Sequence, residues 1–220
     1  MKKILSALIL LCGFSAFAQQ DETETIRSIY TQALTEQQGY KWLEKLTNIG
    51  GRLAGSEEAT KAVKVFQKVA DSLGFTTHLQ EVTVPRWIRG PKETGYYTLN
   101  GKRREVAVCA LGGSVSTPKK GLKATVVEIT SFEQLEAMTN ELEGKIAFYN
   151  IPMEPAFINT FFAYGGAVKQ RYVGALEASR KGAVGVVARS LSSSINPYPH
   201  TGSMTYAGAE EMIPACAIST

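Results

Sequence analysis

Histidine and cysteine, the side chains that most often bind metals or act as bases and nucleophiles, are scarce in this sequence. Its 220 residues include two histidines and three cysteines. A zinc site needs three or four converging ligands, commonly with two histidines close in sequence or a His-x-Asp pair. His78 and His200 are far apart, and neither begins such a pair. We therefore assign no catalytic and no metal-binding residue to the sequence.

Other catalytic motifs are also missing. A two-metal hydrolase needs about five ligands and a general base, and no stretch of the sequence supplies such a group. The serine-hydrolase motif Gly-x-Ser-x-Gly is absent. Gly112-Gly113 and Gly165-Gly166 are not followed by the Lys-Ser/Thr of a phosphate-binding loop. The residue inventory thus favours neither a self-contained hydrolase nor a nucleotide-binding protein.

His200 is the one residue whose surroundings suggest a function. It lies in the proline-rich loop Asn196-Pro197-Tyr198-Pro199-His200-Thr201-Gly202. His78 lies in a predicted strand, where a histidine at the surface or at the sheet edge is the ordinary interpretation. One interpretation places His200 near a substrate or a partner domain. The other is that the prolines and Gly202 shape a turn that His200 caps.

Cys109 and Cys216 each lie in an apolar, strand-like segment. Two free buried thiols and one disulfide are both compatible with this pattern. Their spacing matches no metal-binding motif.

Helical periodicity dominates residues 22–73. Ser56 predicts a helix start, and Gly74 predicts the end of that helix. Its apolar stripe includes Ala62, Phe66, Val69 and Leu73. Because this segment contains no strands of its own, we expect these four side chains to be poorly packed within the chain.

A period of two replaces the helical pattern from residue 77 onward. It predicts strands at 77–84, 95–99, 105–111, 123–129, 145–150 and 213–218, and an apolar run with almost no alternation predicts a buried strand at 183–188. Asn100-Gly101 predicts a hairpin turn, with Lys102-Arg103-Arg104 in the solvated turn region. Helices are predicted at 132–138, after Ser131, and at 163–180. The fold class is therefore α+β, with a helical N-terminal segment followed by a strand-rich unit.

The first residues have the pattern of a secretory signal peptide, cleaved after Ala18. Lys2 and Lys3 precede an apolar run of roughly 14 residues, which ends in Ala16-Phe17-Ala18. That run is short of the ~20 residues that span a bilayer, so no membrane anchor is expected. The mature protein is predicted to be exported, to the periplasm or the medium.

Removal of the signal peptide also lowers the charge. The full sequence has 24 basic and 20 acidic residues, and loss of Lys2 and Lys3 leaves 22 basic residues and a net charge of +2. Bulk charge this small gives no support for a nucleic-acid or anionic-membrane partner.

Two stretches carry an ordered set of further motifs. The first contains YKWLEKLTNIGGRLAGS at 40–56 and EVTVPRWIRG at 81–90, and the second contains RYVGA at 171–175, ASRKGAVGVVARS at 178–190, PHTG at 199–202 and IPACAI at 213–218. Together they resemble secreted two-zinc exopeptidases of the carboxypeptidase Q type, relatives of bacterial leucyl aminopeptidases. The resemblance covers nearly all of residues 22–220.

The resemblance implies a domain organisation and a cofactor. Residues 1–18 would be the signal peptide, 19–80 an incomplete helical segment of an α/β zinc-peptidase domain, and 81–220 an inserted protease-associated domain. In that family the ligands of two zinc ions and a catalytic glutamate follow the insert. Since the sequence ends at Thr220, we expect an inactive N-terminal fragment of a zinc exopeptidase that hydrolyses short peptides or dipeptides, with its C-terminal catalytic half missing.

By the same resemblance, the protease-associated domain would cover the active-site cleft, and the His200 loop would meet a peptide substrate or the partner domain. The alternative is a non-catalytic exported module that binds a peptide or protein. The sequence leaves open whether peptides are cut from the amino or the carboxyl end, which side chains are preferred, and the oligomeric state, a homodimer included.

Overall fold

The computed structural model of the protein describes residues 22–220, which divide into two compact units between Arg86 and Trp87. Unit 1 ends at Arg86, and unit 2 is Trp87–Thr220. The predicted signal peptide at 1–18 lies outside the described residues. Within 22–220, no helix combines the length and the apolar character needed to cross a membrane.

Within residues 22–86, unit 1 contains three helices, named α1 at residues 22–36, α2 at Gln38–Thr47 and α3 at Glu57–Ser72. Gln37 separates α1 from α2 with a left-handed backbone, φ 47°. The Ser56 hydroxyl accepts a hydrogen bond from the Ala59 amide at 3.1 Å, which confirms the predicted N-cap of α3. Gly74 follows α3 with φ +87°, a conformation that favours glycine.

The helices of unit 1 bury none of their apolar side chains. No residue of α2 or α3 is buried, and the exposed fractions of Phe66 and Leu73 are 37% and 57%. The predicted poor packing of the α3 stripe is therefore confirmed. Every buried side chain among residues 22–220 lies in unit 2.

The strand predicted at 77–84 is wrong. Residues 75–90 contain no strand. An alternating pattern marks a chain that can form a strand, but a strand exists only when a second strand pairs with its backbone. None of the strands in the described part of the chain pairs with this segment.

Unit 2 begins with the predicted hairpin, in which β1 is Gly95–Leu99 and β2 is Lys102–Val106. Asn100 and Gly101 both have positive φ, 50° and 73°, as a two-residue type I′ turn requires. The basic run does not lie in the turn as predicted, because the turn needs only those two residues. Lys102 instead pairs directly with Leu99, and the Arg103 guanidinium lies 3.9 Å from the Tyr96 ring centroid.

The other strands form a five-stranded mixed sheet in the order β3-β7-β6-β5-β4. They are β3 at Cys109–Ala110, β4 at Val126–Ile129, β5 at Ile146–Tyr149, β6 at Gly185–Arg189 and β7 at Ala215–Ile218. Strands β4 to β7 are parallel, and β3 is antiparallel to β7. The strand predicted at 105–111 is split between β2 and β3.

Four helices connect these strands: α4 at Phe132–Ala137, α5 at Thr160–Ala167, α6 at Lys169–Tyr172 and α7 at Gly174–Ser179. Ser131 caps α4 as predicted, accepting from the Gln134 amide at 3.1 Å. The single helix predicted at 163–180 is wrong, because Val173 leaves helical geometry with φ −117° and ψ 3°. The combination of a helical segment with a mixed helix-and-sheet unit is otherwise as predicted.

The core of unit 2 lies around the sheet. Its largest fully buried side chains are Tyr149, Leu111, Ile129, Leu142, Ile213 and Gln170. Gln170 is tolerated there because its amide bonds both backbone groups of Ile151, at 3.2 Å and 2.7 Å. Phe132 stacks on Tyr149 with ring centroids 5.5 Å apart. This packing fixes the edge of the sheet from which the functional loops emerge.

Candidate functional site

The carboxyl ends of the parallel strands β4 to β7 lie along one edge of the sheet. In open sheets with parallel strands, ligands bind outside the carboxyl ends of the strands. Two long loops emerge from it, residues 150–159 after β5 and residues 190–203 after β6. The second loop contains His200, so the structure places the predicted site residue at this edge.

His200 is held through its backbone. Its amide donates to the Ser190 hydroxyl at 2.6 Å, and that hydroxyl donates in turn to the carbonyl oxygen of Ile218 at the end of β7. Ser190 is 3% exposed, so these bonds are shielded from water. Among residues 22–220, no hydrogen bond involves the partly buried His200 imidazole. The main chain thus positions the imidazole, and both of its ring nitrogens are available for hydrogen bonds to a ligand.

The far end of the same loop is fixed by Thr201 and Arg89. The Thr201 hydroxyl donates to the Ala110 carbonyl at 2.7 Å, and Arg89 donates to that carbonyl at 2.8 Å. Arg89 also pairs with Glu93 at 2.6 Å and lies 5.0 Å from the Trp87 ring centroid. Sequence reasoning missed this anchor, because an Arg and a Glu four residues apart outside a helix give no recognisable signal.

An open hollow of about 290 Å³ lies where the two loops meet. Its lining consists of Met153, Thr160, Phe161, Tyr164, Leu191, Ser192 and Ser193. These residues come from the loop after β5, from helix α5 and from the start of the loop after β6. No sequence motif indicates the hollow, because it forms only when β5 and β6 become neighbours.

Arg171 connects the hollow to the His200 loop. Its guanidinium donates a hydrogen bond to the Tyr164 hydroxyl. Its Nε is buried and has no hydrogen-bond partner, the only such side-chain atom within 22–220. A Cβ at Gly202 would lie 2.5 Å from Arg171 Cζ, so a side chain at position 202 would displace the Arg171 guanidinium.

Cys109 and Cys216 are free thiols, although they lie on adjacent strands. The register pairs Cys109 with Ala217 and Cys216 with Ala110. Because successive side chains project from opposite faces of a strand, the two thiols lie on opposite faces of the sheet. Burial, aided by Glu93 and Cys109, raises the pKa of Cys216 to about 12, so its thiol stays protonated at neutral pH.

The donor set does not fit a zinc pair. In the part of the chain that the structure describes, no three His, Cys, Asp or Glu side chains come together in a group that could hold a metal ion. Residues 22–220 therefore do not by themselves form a site for the zinc that the sequence resemblance implies.

Comparison with known proteins shows similarity to curated carboxypeptidase Q sequences. Carboxypeptidase Q from Bos taurus is 31% identical over 201 residues, that from Homo sapiens 32% over 201 residues, and that from Xenopus laevis 32% over 202 residues. The bovine alignment covers 90% of this chain and 40% of the bovine protein. The chain thus spans about two-fifths of the length of the curated relatives it matches. No family model matches the chain.

A solved structure agrees with these sequences. The crystal structure of a Peptidase M28 precursor from Shewanella amazonensis superposes with a TM-score of 0.77 at 36% sequence identity. The match covers 87% of this chain and 43% of the other. Together the sequences and the structure confirm the resemblance that the ordered motifs indicated.

Proposed function

We propose that this chain, a homologue of carboxypeptidase Q, is the non-catalytic N-terminal part of an exported, zinc-dependent exopeptidase that hydrolyses short peptides or dipeptides. The observation that carries the proposal is the coverage: the likeness extends over 90% of this chain but only 40% of the bovine relative. In this proposal, unit 1 is a helical piece of the peptidase domain and unit 2 is a protease-associated domain.

The state of unit 1 supports its assignment to a larger domain. Its helices α2 and α3 are amphipathic, yet none of their residues is buried. Contiguous apolar surface of this kind usually marks an interface. A peptidase sheet that packs on α3 would bury Phe66 and Leu73, whose exposed fractions are 37% and 57%.

Zinc belongs to the proposal for the whole enzyme only. Since the described residues include no group of three metal-binding side chains, we derive no catalytic step from this chain. Its own contribution would be to bind and admit substrate. The His200 loop, fixed through Ser190 and Thr201, is the candidate contact with a peptide or with the peptidase domain.

The hollow between the two loops favours a second candidate function, a non-catalytic exported module that binds peptides. The two candidates differ in what the gene encodes after Thr220. An open reading frame that continues into a His-x-Asp motif supports the peptidase, and a stop codon supports the module.

Zinc titration of the 220-residue chain by calorimetry tests whether the zinc site lies outside this chain. The proposal predicts no stoichiometric tight binding, because the ligands lie elsewhere. Binding of one or two zinc ions per chain with submicromolar affinity would overturn it.

A further inference from the structure

The surface beside the hollow is unusually apolar. Four large apolar side chains lie within six residues of one another, and their exposed fractions are 51% for Phe157, 103% for Ile158, 83% for Phe161 and 66% for Phe162. We name these four residues the apolar rim. Phe157 and Phe162 are in edge contact, with ring centroids 6.3 Å apart. Exposed apolar surface of this density usually marks a binding site.

The hollow itself disfavours charged ligands. None of its seven lining residues is charged, and Met153, Phe161 and Leu191 provide apolar walls. A charged side chain that left water for this lining would lose hydration, and no lining residue would supply an ionic partner. An apolar side chain would lose nothing comparable and would gain contacts.

The volume of the hollow limits the size of its occupant. Pockets for drug-sized ligands measure about 300 to 1,000 Å³. At about 290 Å³ the hollow lies just below this range, so it can accommodate a large side chain but is too small for a folded element.

Hydroxyl groups around the hollow provide hydrogen bonds for a peptide backbone. Thr160, Tyr164, Ser192 and Ser193 each contribute a hydroxyl to the lining residues. The Tyr164 oxygen already accepts from Arg171, so its own proton is available to a carbonyl oxygen of the ligand.

We propose that the hollow binds one large apolar side chain of a short peptide, such as phenylalanine, leucine or methionine, while the Tyr164 hydroxyl donates to a peptide carbonyl. The inference rests on the proposed function, since it assumes that the ligand is a peptide. It assigns unit 2 a specificity of its own, namely selection of apolar peptides before they reach the catalytic half.

The test uses the ¹⁵N-labelled 220-residue chain and four probes: N-acetyl-phenylalaninamide, N-acetyl-leucinamide, N-acetyl-aspartamide and N-acetyl-lysinamide. We expect the two apolar probes to shift the amide resonances of Tyr164, Leu191 and Ser192 in a saturable way. The two charged probes should leave these resonances unchanged at the same concentrations.

A matched pair of variants separates the hollow from the rest of the rim. Phe161 lines the hollow, whereas its neighbour Phe162 does not, and both are exposed enough to be replaced without disturbing the core. Phe161→Ser should weaken binding of N-acetyl-phenylalaninamide about tenfold, because it removes a large apolar contact. Phe162→Ser should change it less than about twofold.

Equal affinity for apolar and charged probes, or equal effects of the two variants, would overturn the inference. If the probes cause no shifts in the 220-residue chain, but the longer protein with its catalytic half hydrolyses dipeptides, only this inference is overturned. Saturable binding of the apolar probes to a protein without any peptidase activity would instead overturn the proposed function and leave the binding site standing.

Discussion

Tyr149 and Gly174 are joined by two independent contacts. The Tyr149 hydroxyl donates a hydrogen bond to the Gly174 carbonyl oxygen at 2.8 Å. The tyrosine ring also fills the space next to the glycine, since a Cβ at position 174 would lie 2.9 Å from ring atom Cε2. The pair therefore fixes the first residue of α7 on the end of β5.

Replacement of Gly174 by alanine should destabilise the protein. The ring of Tyr149 is fully buried and cannot move aside, so we expect Gly174→Ala to lower the free energy of unfolding by about 2 kcal/mol. Gly166→Ala is the control, because Gly166 lies in α5 and a Cβ added there would meet no atom within 4 Å. It should be neutral or stabilise by about 0.5 kcal/mol. Urea unfolding of both variants measures the difference, and equal stabilities would contradict it.

Local signals predicted the elements whose cause is local. Ser56 and Ser131 cap their helices through their own side chains, and Asn100-Gly101 closes the hairpin by its backbone preference. The strand predicted at 77–84 fails because its partner would have to come from elsewhere in the chain. The helix predicted at 163–180 is interrupted at Val173, next to the contact of Gly174 with Tyr149. This contact joins distant parts of the chain, so the helical periodicity gives no sign of it.

The stability of the protein should fall in mildly alkaline solution because of Cys216. Its pKa is about 12 in the folded chain, against an ordinary value of 9.0. The contribution of the Cys216 thiol to the free energy of unfolding is complete below pH 9 and is lost as the pH rises toward 12. In that interval the thiol loses its proton only in the unfolded chain. Between pH 8 and pH 10, the wild type should lose about 1 kcal/mol more than Cys216→Ala. If the free energies of unfolding of the two proteins change equally with pH, the raised pKa of Cys216 is contradicted.

Ser190 should matter for stability, and His200 should not. Ser190→Ala removes the acceptor of the partly buried His200 amide bond and the donor to Ile218, so we expect the free energy of unfolding to fall by about 2 kcal/mol. His200→Ala keeps the amide and should cost less than about 0.5 kcal/mol. Chemical denaturation compares the two variants. A larger loss for His200→Ala would mean that the imidazole itself holds the loop.

Unit 2 should fold without unit 1. All buried side chains of the described residues lie within Trp87–Thr220, so this segment contains a complete core. A polypeptide of residues 87–220 is expected to unfold in one cooperative urea transition, followed by near-ultraviolet circular dichroism. A polypeptide of residues 22–86, which buries no side chain, should show no such transition. A gradual transition for residues 87–220 would contradict this division.

The sequence indicated one residue of the candidate site and missed its surroundings. Prolines and a glycine around His200 mark a shaped loop, and the structure places that loop at the carboxyl edge of the parallel strands. The hollow and the contacts of Arg89 and Arg171 join segments far apart in the chain. Such contacts depend on strand order, which a single sequence does not specify.

The central claim is that this chain belongs to a peptidase whose chemistry lies outside residues 22–220. Zinc-dependent hydrolysis of an unmodified dipeptide tests it most directly, measured side by side for the 220-residue chain and for the protein encoded when the gene is read past Thr220. The account predicts no hydrolysis above buffer for the 220-residue chain and zinc-dependent turnover for the longer protein. Turnover by the 220-residue chain, or none by a longer protein, would contradict it.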